Sequence, residues 1–353
     1  RGSGGRSLTS LLVQFALFWL RKDTTRLIIS VIIQTLKNSK IWQMLVETDL
    51  STYRRHFPVD SNPFISERFI ELNRNKVDRI IRLVDECGEP VIGLVAGIKD
   101  GILKSPFSAP FGGFHFRKEN VYISEIDRFL QLLSDYATSR FFNRIEIIIP
   151  PDIYHQTFNA KIVNSLIRQG YKFNFPEITN WIDLERFDGV FTQKNSREYF
   201  RQAQRNNLVF SMAHNELDKG EIYNLICENR SKFGRPVYMT LDNIISTGEI
   251  WPVEFFKVES EKNIIAAAIF YRNHSEICYA VYWGDNDEGR PLRAMDFLLL
   301  NLFTFYKEAG FRYMDLGIST ENGIPNEGLL RFKESHEALS SIRYRFTLEI
   351  KKS

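Results

Sequence analysis

One order of elements is written twice along this chain, and that repetition limits its fold more than any other feature. Between Leu292 and Ala309 the residues Leu292, Met295, Leu298, Leu299, Leu302, Phe303, Phe305 and Tyr306 keep the three-to-four spacing of a buried helix face. Gly310 follows where a left-handed cap belongs. Phe311 to Gly317 (FRYMDLG) reads as a strand, Ser319 to Gly328 as a loop and Leu329 to His336 as a short helix. Ile342 to Ile350 (IRYRFTLEI) alternates apolar with polar residues and reads as one closing strand. Residues Ser124 to Leu184 run through the same order. They give a helix around Ile126 to Ala137, the strand Arg144 to Pro150, a helix from Ala160 to Gln169 capped by Gly170, and the strand Ile178 to Leu184. A hairpin-like region precedes each unit, Pro90 to Phe107 in the first and Val253 to Trp283 in the second. Few residues are shared, so the repeat is one of pattern. The fold class it predicts is α+β: two tandem lobes, each a mixed β-sheet flanked by helices, with ligands near strand ends where a sheet opens.

A chain of 353 residues, 44% of them hydrophobic, is long enough to bury two cores of ordinary size. We expect the first lobe over residues 44–190, and a basic linking helix with the second lobe over 191–353. The 46 basic and 43 acidic residues leave a net charge of only +3, too balanced for tight non-specific nucleic-acid binding, so DNA is not an expected partner. Cys87, Cys227 and Cys278 are odd in number and far apart, which argues against a disulfide framework and for a reducing, cytoplasmic setting. The inner face of the membrane is the alternative location.

Residues 1–43 differ from the rest. Leu8 to Leu20 and Leu27 to Leu36 are strongly apolar, but Arg21, Lys22, Asp23 and Arg26 separate them, so neither reaches the roughly 20 residues of a membrane span. No integral span is expected. We read this stretch as an extension that contributes little to the fold, with Met44 as the natural start; an amphipathic helix on a membrane surface is the competing reading.

Several chemistries have no signature here. There is no nucleophile elbow, phosphate-binding Walker loop or dinucleotide fingerprint. His56, His115, His155, His214, His274 and His336 include no pair at metal spacing, so no metal is expected. Three constellations remain. Arg197, Arg201 and Arg205 recur at four-residue steps along a helix from Ser196 to Asn206, a stripe that suits phosphate oxygens and equally a solvated face. Asp315 at a strand end and Lys333 in the following helix could serve proton transfer and charge stabilisation; on residue type alone, Asp315 is as well a turn cap and Lys333 an exposed salt-bridge partner. Ser319 and Asn326, in the loop between them, are the expected substrate contacts. The loop Ser105 to Phe114 (SPFSAPFGGF) suits a substrate-facing wall or plain packing.

The run YMDLGIST (Tyr313 to Thr320) followed by NEGLLRFKES (Asn326 to Ser335) resembles the C-terminal signature of FemAB-like and BioF2-like proteins, which carry tandem acetyltransferase-type (GNAT) lobes. SREYFRQAQRNNLVFS (Ser196 to Ser211) is similar to their inter-lobe segment, and the resemblance spans approximately Pro90 to Ile350. It implies two GNAT-like lobes and transfer of an acyl or aminoacyl group to an amine of a cell-envelope precursor or amino sugar. It implies Lys333 as the lysine of a Gly-Leu-x-x-Phe-Lys motif and the Arg201 region as the basic helix. The donor implied is an acyl-CoA or an aminoacyl-tRNA, which would make tRNA a partner beside the glycan precursor. Acetyltransferases of this kind usually present a glycine-rich pyrophosphate loop before the long helix. Here GDNDEGRPLRAM (Gly284 to Met295) offers Gly284, Gly289 and the cations Arg290 and Arg293, which we take as the cofactor-facing residues. A non-catalytic binding protein for an envelope glycan precursor or a protein partner is the alternative.

Overall fold

The computed structural model describes residues 44–60, 62–86 and 88–351; the expectations for residues 1–43 fall outside these. The first half of the chain gives β1 (Leu45–Glu47), α1 (Leu50–His56), α2 (Glu67–Leu72), β2 (Arg79–Asp85), β3 (Ile92–Lys99), β4 (Ile102–Ser105), β5 (Phe114–Phe116), α3 (Ile123–Ser139), β6 (Arg144–Ile148), α4 (Asp152–Arg168), β7 (Lys172–Phe173) and β8 (Glu177–Asp183). The second half gives α5 (Lys194–Gln204), β9 (Val209–Ala213), α6 (Glu216–Lys232), α7 (Leu241–Thr247), β10 (Val253–Ser260), β11 (Asn263–Tyr271), β12 (Ile277–Asp285), α8 (Ala294–Glu308) and β13 (Tyr313–Ile318). A small hairpin of β14 (Thr320–Glu321) and β15 (Ile324–Pro325), α9 (Glu327–Ser335), β16 (Leu339–Arg343) and β17 (Arg345–Glu349) complete the chain.

The two large sheets share one plan. The first runs β1-β2-β3-β4-β6-β17-β7 with β5 also on β3, and the second, read in the same sense, runs β9-β10-β11-β12-β13-β8-β16. Each holds one parallel pair in the same place, β4 with β6 and β12 with β13. Arg144–Ile148 and Tyr313–Ile318 therefore occupy equivalent positions, as the repeat predicted. The sixth strand is exchanged between the sheets. The C-terminal β17 completes the first sheet, and β8, from the first half, completes the second. A cut at 190 thus divides the chain but not the sheets.

This exchange corrects one expectation. The segment Ile342 to Ile350 is two strands, because the chain leaves the second sheet after Arg343 and enters the first at Arg345. Its alternation is consequently broken, with Ile342 36% exposed while Phe346 is fully buried.

Helix α3 lays Ile126, Phe129, Leu130, Leu133 and Ala137 on one face of the first sheet, and α1 covers the other with Tyr53 and Phe57. In the second lobe α8 buries Leu298, Leu299, Leu302, Phe303 and Tyr306 at the spacing read from the sequence. A third core lies between the lobes, where Phe64, Phe69, Phe111 and Tyr154 pack against Trp251, Phe255, Ile269 and Tyr271. The rings of Phe69 and Trp251 stack there at 5.2 Å. No helix among the described residues is long and apolar enough to cross a membrane.

Candidate functional site

The second sheet opens where its two parallel strands part. Pairing of β12 with β13 runs only from Ile277↔Tyr313 to Tyr279↔Asp315, although β12 continues to Asp285 and β13 to Ile318. Both strands are irregular at the parting. On β12 the ladder to β11 skips Val281, and on β13 the ladder to β8 jumps between Asp315 and Ile318. Gly317 sits in that second bulge at φ +67, a conformation that strains any residue with a Cβ.

A bulge takes carbonyls out of the ladder, and here a lysine accepts the task of bonding them. The Lys333 ammonium donates to the carbonyls of Leu316 (2.9 Å), Gly317 (2.9 Å) and Ile318 (3.2 Å), one for each of its hydrogens. Its side chain is 1% exposed and has no carboxylate within 4 Å among the described residues, so it is not the exposed salt-bridge lysine of the plainer reading. Burial pushes its pKa down to about 7, against the pull of the Asp315 carboxylate, which favours the charged form. Asp315 is equally buried. Its carboxylate accepts from the Gly317 amide (2.8 Å), which makes it a turn cap, and from the Tyr154 phenol (3.3 Å); burial pushes its pKa up to about 6. The loop after β13 is fixed from beneath. Ser319 donates its hydroxyl to Asn180, Thr320 donates to Glu177, and Asn326 caps α9 by accepting from the Leu329 amide (3.3 Å).

Cavities flank the opening. One of about 520 Å³ lies over the β12–α8 turn, lined among others by Arg230, Arg235, Trp283, Arg290, Arg293 and Asp296. A second of about 300 Å³ sits in the strand gap and brings together Lys333, Ser319 and Asn326 with Tyr279 and Trp283. The two share Arg230, Arg235, Trp283, Asn326 and Leu329, so they form one trough. A third of about 560 Å³ lies between the lobes and shares Tyr238, Tyr279, Val281, Tyr282 and Ile318 with the second. Ser108, Ala109 and Pro110 line it while Phe111 packs in the core, so the loop Ser105 to Phe114 supplies both a wall and packing.

Arg290 and Arg293 line the first cavity, yet both are engaged by the chain itself. Arg290 lies 3.6 Å from Asp285 and 3.8 Å from Asp287, and the Arg293 guanidinium stacks 3.7 Å over the Tyr199 ring. Arg197, Arg201 and Arg205 are outside the lining of these cavities. Arg197 donates to the carbonyls of Phe191 and Thr192, Arg201 is exposed beside Glu198, and Arg205 is exposed at the end of α5.

Sequence reasoning missed Arg230, Arg235 and Arg343. Arg230 ends α6 with its guanidinium 5.2 Å over the Tyr282 ring, its buried Nε unbonded. Arg343 lines the interlobe cavity, also with an unbonded Nε and no carboxylate partner among the described residues. Nothing near them in sequence marks them; they converge only through the fold. No group of metal-ligating side chains occurs among the described residues.

The overall plan of two such sheets, each holding one parallel pair, is shared with solved structures. FemX matches 87% of this chain over 97% of its own length at 13% identity and a TM-score of 0.61. The chain has the tandem GNAT fold. L-PGS from Bacillus licheniformis matches 84% of this chain and 94% of its own at 13% identity and TM-score 0.52. A tandem GNAT protein from the clavulanic acid biosynthesis pathway matches 88% and 99% at 11% identity and TM-score 0.51. No known family profile and no curated protein matches the chain. In terms of this fold, Lys333 belongs to the strand gap of the second lobe. The equivalent gap of the first lobe is closed, since β4 stays paired with β6 as far as Ser105↔Ile147 and the Gly112 amide donates to the Ile148 carbonyl (2.8 Å).

Proposed function

We propose that the protein is an N-acyltransferase that moves an acyl or aminoacyl group onto an amine of a cell-envelope precursor or amino sugar, with the chemistry in the strand gap of the second lobe. The observation that carries this reading is the gap itself: β12 and β13 part beside a buried lysine, with the trough on one side and the interlobe cavity on the other. An acyl carbonyl in the gap would develop negative charge as the amine attacks. The Lys333 ammonium, fixed by the carbonyls of Leu316, Gly317 and Ile318, supplies a positive field there without reorganising. Lys333 thus acts through its charge, and Asp315, which lines neither cavity, positions the bulge that holds it.

The donor, an acyl-CoA or an aminoacyl-tRNA, enters through the 520 Å³ cavity, where Arg230 and Arg235 meet its phosphate charge. The stripe of Arg197, Arg201 and Arg205 holds phosphates of an extended carrier outside that cavity. The acceptor lies in the interlobe cavity, whose tyrosines 238, 271, 279 and 282 suit sugar or base rings and whose Lys76 and Arg343 suit an anionic glycan precursor. The test is transfer of labelled acyl groups from acyl-CoAs and from charged tRNA to amino-sugar nucleotides, followed as amide product. Binding of such ligands without amide formation from any donor would support the non-catalytic alternative instead.

A further inference from the structure

The N-terminus of α8 opens on the wall of the 520 Å³ cavity, and a carboxylate of the chain itself stands there. Asp296 stands in the first turn of α8, 5% exposed, on the wall of the 520 Å³ cavity. Its carboxylate lies 2.9 Å from Nε2 of His336, itself 2% exposed. The other ring nitrogen faces only acceptors. Nδ1 is 2.6 Å from the Phe332 carbonyl, and the nearby Ser335 hydroxyl spends its own hydrogen on that same carbonyl. The two contacts together fix the ring between the Asp296 carboxylate and the Phe332 carbonyl. The imidazole is clamped edge-on to Phe191 and packed on Phe332.

The turn before α8 is closed as well. Gly289 donates to the Asn286 side chain (2.9 Å), Asn286 to the Ile265 carbonyl (3.1 Å), Arg293 to the Arg290 carbonyl (3.1 Å) and Ala294 to the Gly289 carbonyl (3.0 Å). These amides serve the turn instead of facing outward as an anion nest. The turn also lies hard on β11, since a Cβ at Gly289 would fall 2.4 Å from the Ile265 carbonyl oxygen.

We propose that Asp296, held by His336, is a specificity-determining residue that occupies the anion position at the N-terminus of α8 and excludes donors that place a diphosphate there, coenzyme A thioesters among them. A diphosphate would have to displace a buried carboxylate from its histidine and open a turn whose amides are bonded. The donor class selected is an acyl compound whose carrier brings its charge to Arg230 and Arg235 rather than to α8. This rests on the acyltransferase reading for the word donor, but its test reads binding and stands apart from turnover.

The test is calorimetric titration of the full chain with coenzyme A and with inorganic pyrophosphate. Asp296→Asn keeps the shape and removes the charge; Asp296→Ala empties the position; Glu308→Ala, at the far end of α8, is the control. Both Asp296 variants should bind each ligand about two- to fivefold more tightly than the wild type, the usual worth of an anion at a helix N-terminus, and the control should not. Wild type that binds coenzyme A as tightly as the Asp296 variants overturns the proposal. So does the absence of a gain in variants whose thermal unfolding shows them folded. If Asp296→Ala does not fold, Asp296→Asn alone decides.

Discussion

The phenol of Tyr154, on α4 of the first lobe, donates to the carboxylate of Asp315, on β13 of the second, across 3.3 Å of buried space. The bond ties the lobes together at the residue that caps the Gly317 bulge, so the mouth of the strand gap is braced from the other lobe. Tyr154→Phe leaves one carboxylate oxygen buried without its donor. It should cost about 1–3 kcal/mol in urea unfolding, and a loss below about 0.5 kcal/mol would mean the contact is incidental.

Replacing Lys333 tests two roles at once. Lys333→Ala strands the carbonyls of Leu316, Gly317 and Ile318, so it should lower stability by about 2–4 kcal/mol and turnover by roughly a hundredfold or more. Lys333→Arg should rescue little, because a planar fork cannot meet three carbonyls gathered around a point. Lys333→Ala protein with both stability and turnover near wild type would remove the lysine from the site.

Buried Asp315 and Lys333 also give stability a definite pH dependence. The folded Asp315 titrates at about 6 against an ordinary 3.8, so between these values the folded chain binds more protons and its contribution to stability falls as pH rises. The folded Lys333 titrates at about 7 against 10.5, so from pH 7 upward the unfolded chain binds more protons and stability rises with pH. Together they place a minimum between about pH 6 and 7. In urea midpoints measured from pH 5 to 9, Asp315→Asn should flatten the acid limb and Lys333→Met the alkaline one; unchanged slopes in both would contradict the assignment.

Arg343 is a cation turned into the interlobe cavity with its Nε unbonded. Arg343→Met should leave the unfolding free energy unchanged or raise it by up to about 1 kcal/mol, since a half-buried charge without a carboxylate partner among the described residues gains little over an apolar side chain of similar volume. It should also weaken binding of an anionic sugar nucleotide by about tenfold or more. Loss of stability without loss of binding would show a structural role instead.

Arg201 is the sharper test of the basic stripe, being 62% exposed at its side chain and paired, among the described residues, only with Glu198 at 3.6 Å. Arg201→Ala should leave stability within about 0.5 kcal/mol and weaken binding of a phosphorylated carrier by about 1.5–3 kcal/mol. Unchanged affinity for charged tRNA would leave the stripe as a solvated helix face.

The sequence by itself determined what depends on neighbours a few residues apart. The apolar spacing of Leu298, Leu299, Leu302 and Phe303 announces α8, Gly310 its end, and the repeated order of elements the two similar lobes, because helix faces and caps are set by local periodicity and backbone preference. It also marked Lys333, Asp315, Ser319 and Asn326 as one unit, since they follow one another along a single strand, loop and helix. Tertiary structure alone decided which strand completes which sheet. Ile342 to Ile350 carries an unbroken alternation, and only the competition between two sheet edges divides it at Tyr344. The same holds for Lys333, whose buried amine is explained by a bulge on another element, and for Arg230, Arg343 and the Asp296–His336 pair. Their partners are distant in sequence or, for Arg343, not found among the described residues, and the burial that gives such groups their chemistry is a property of packed layers, which no local pattern encodes.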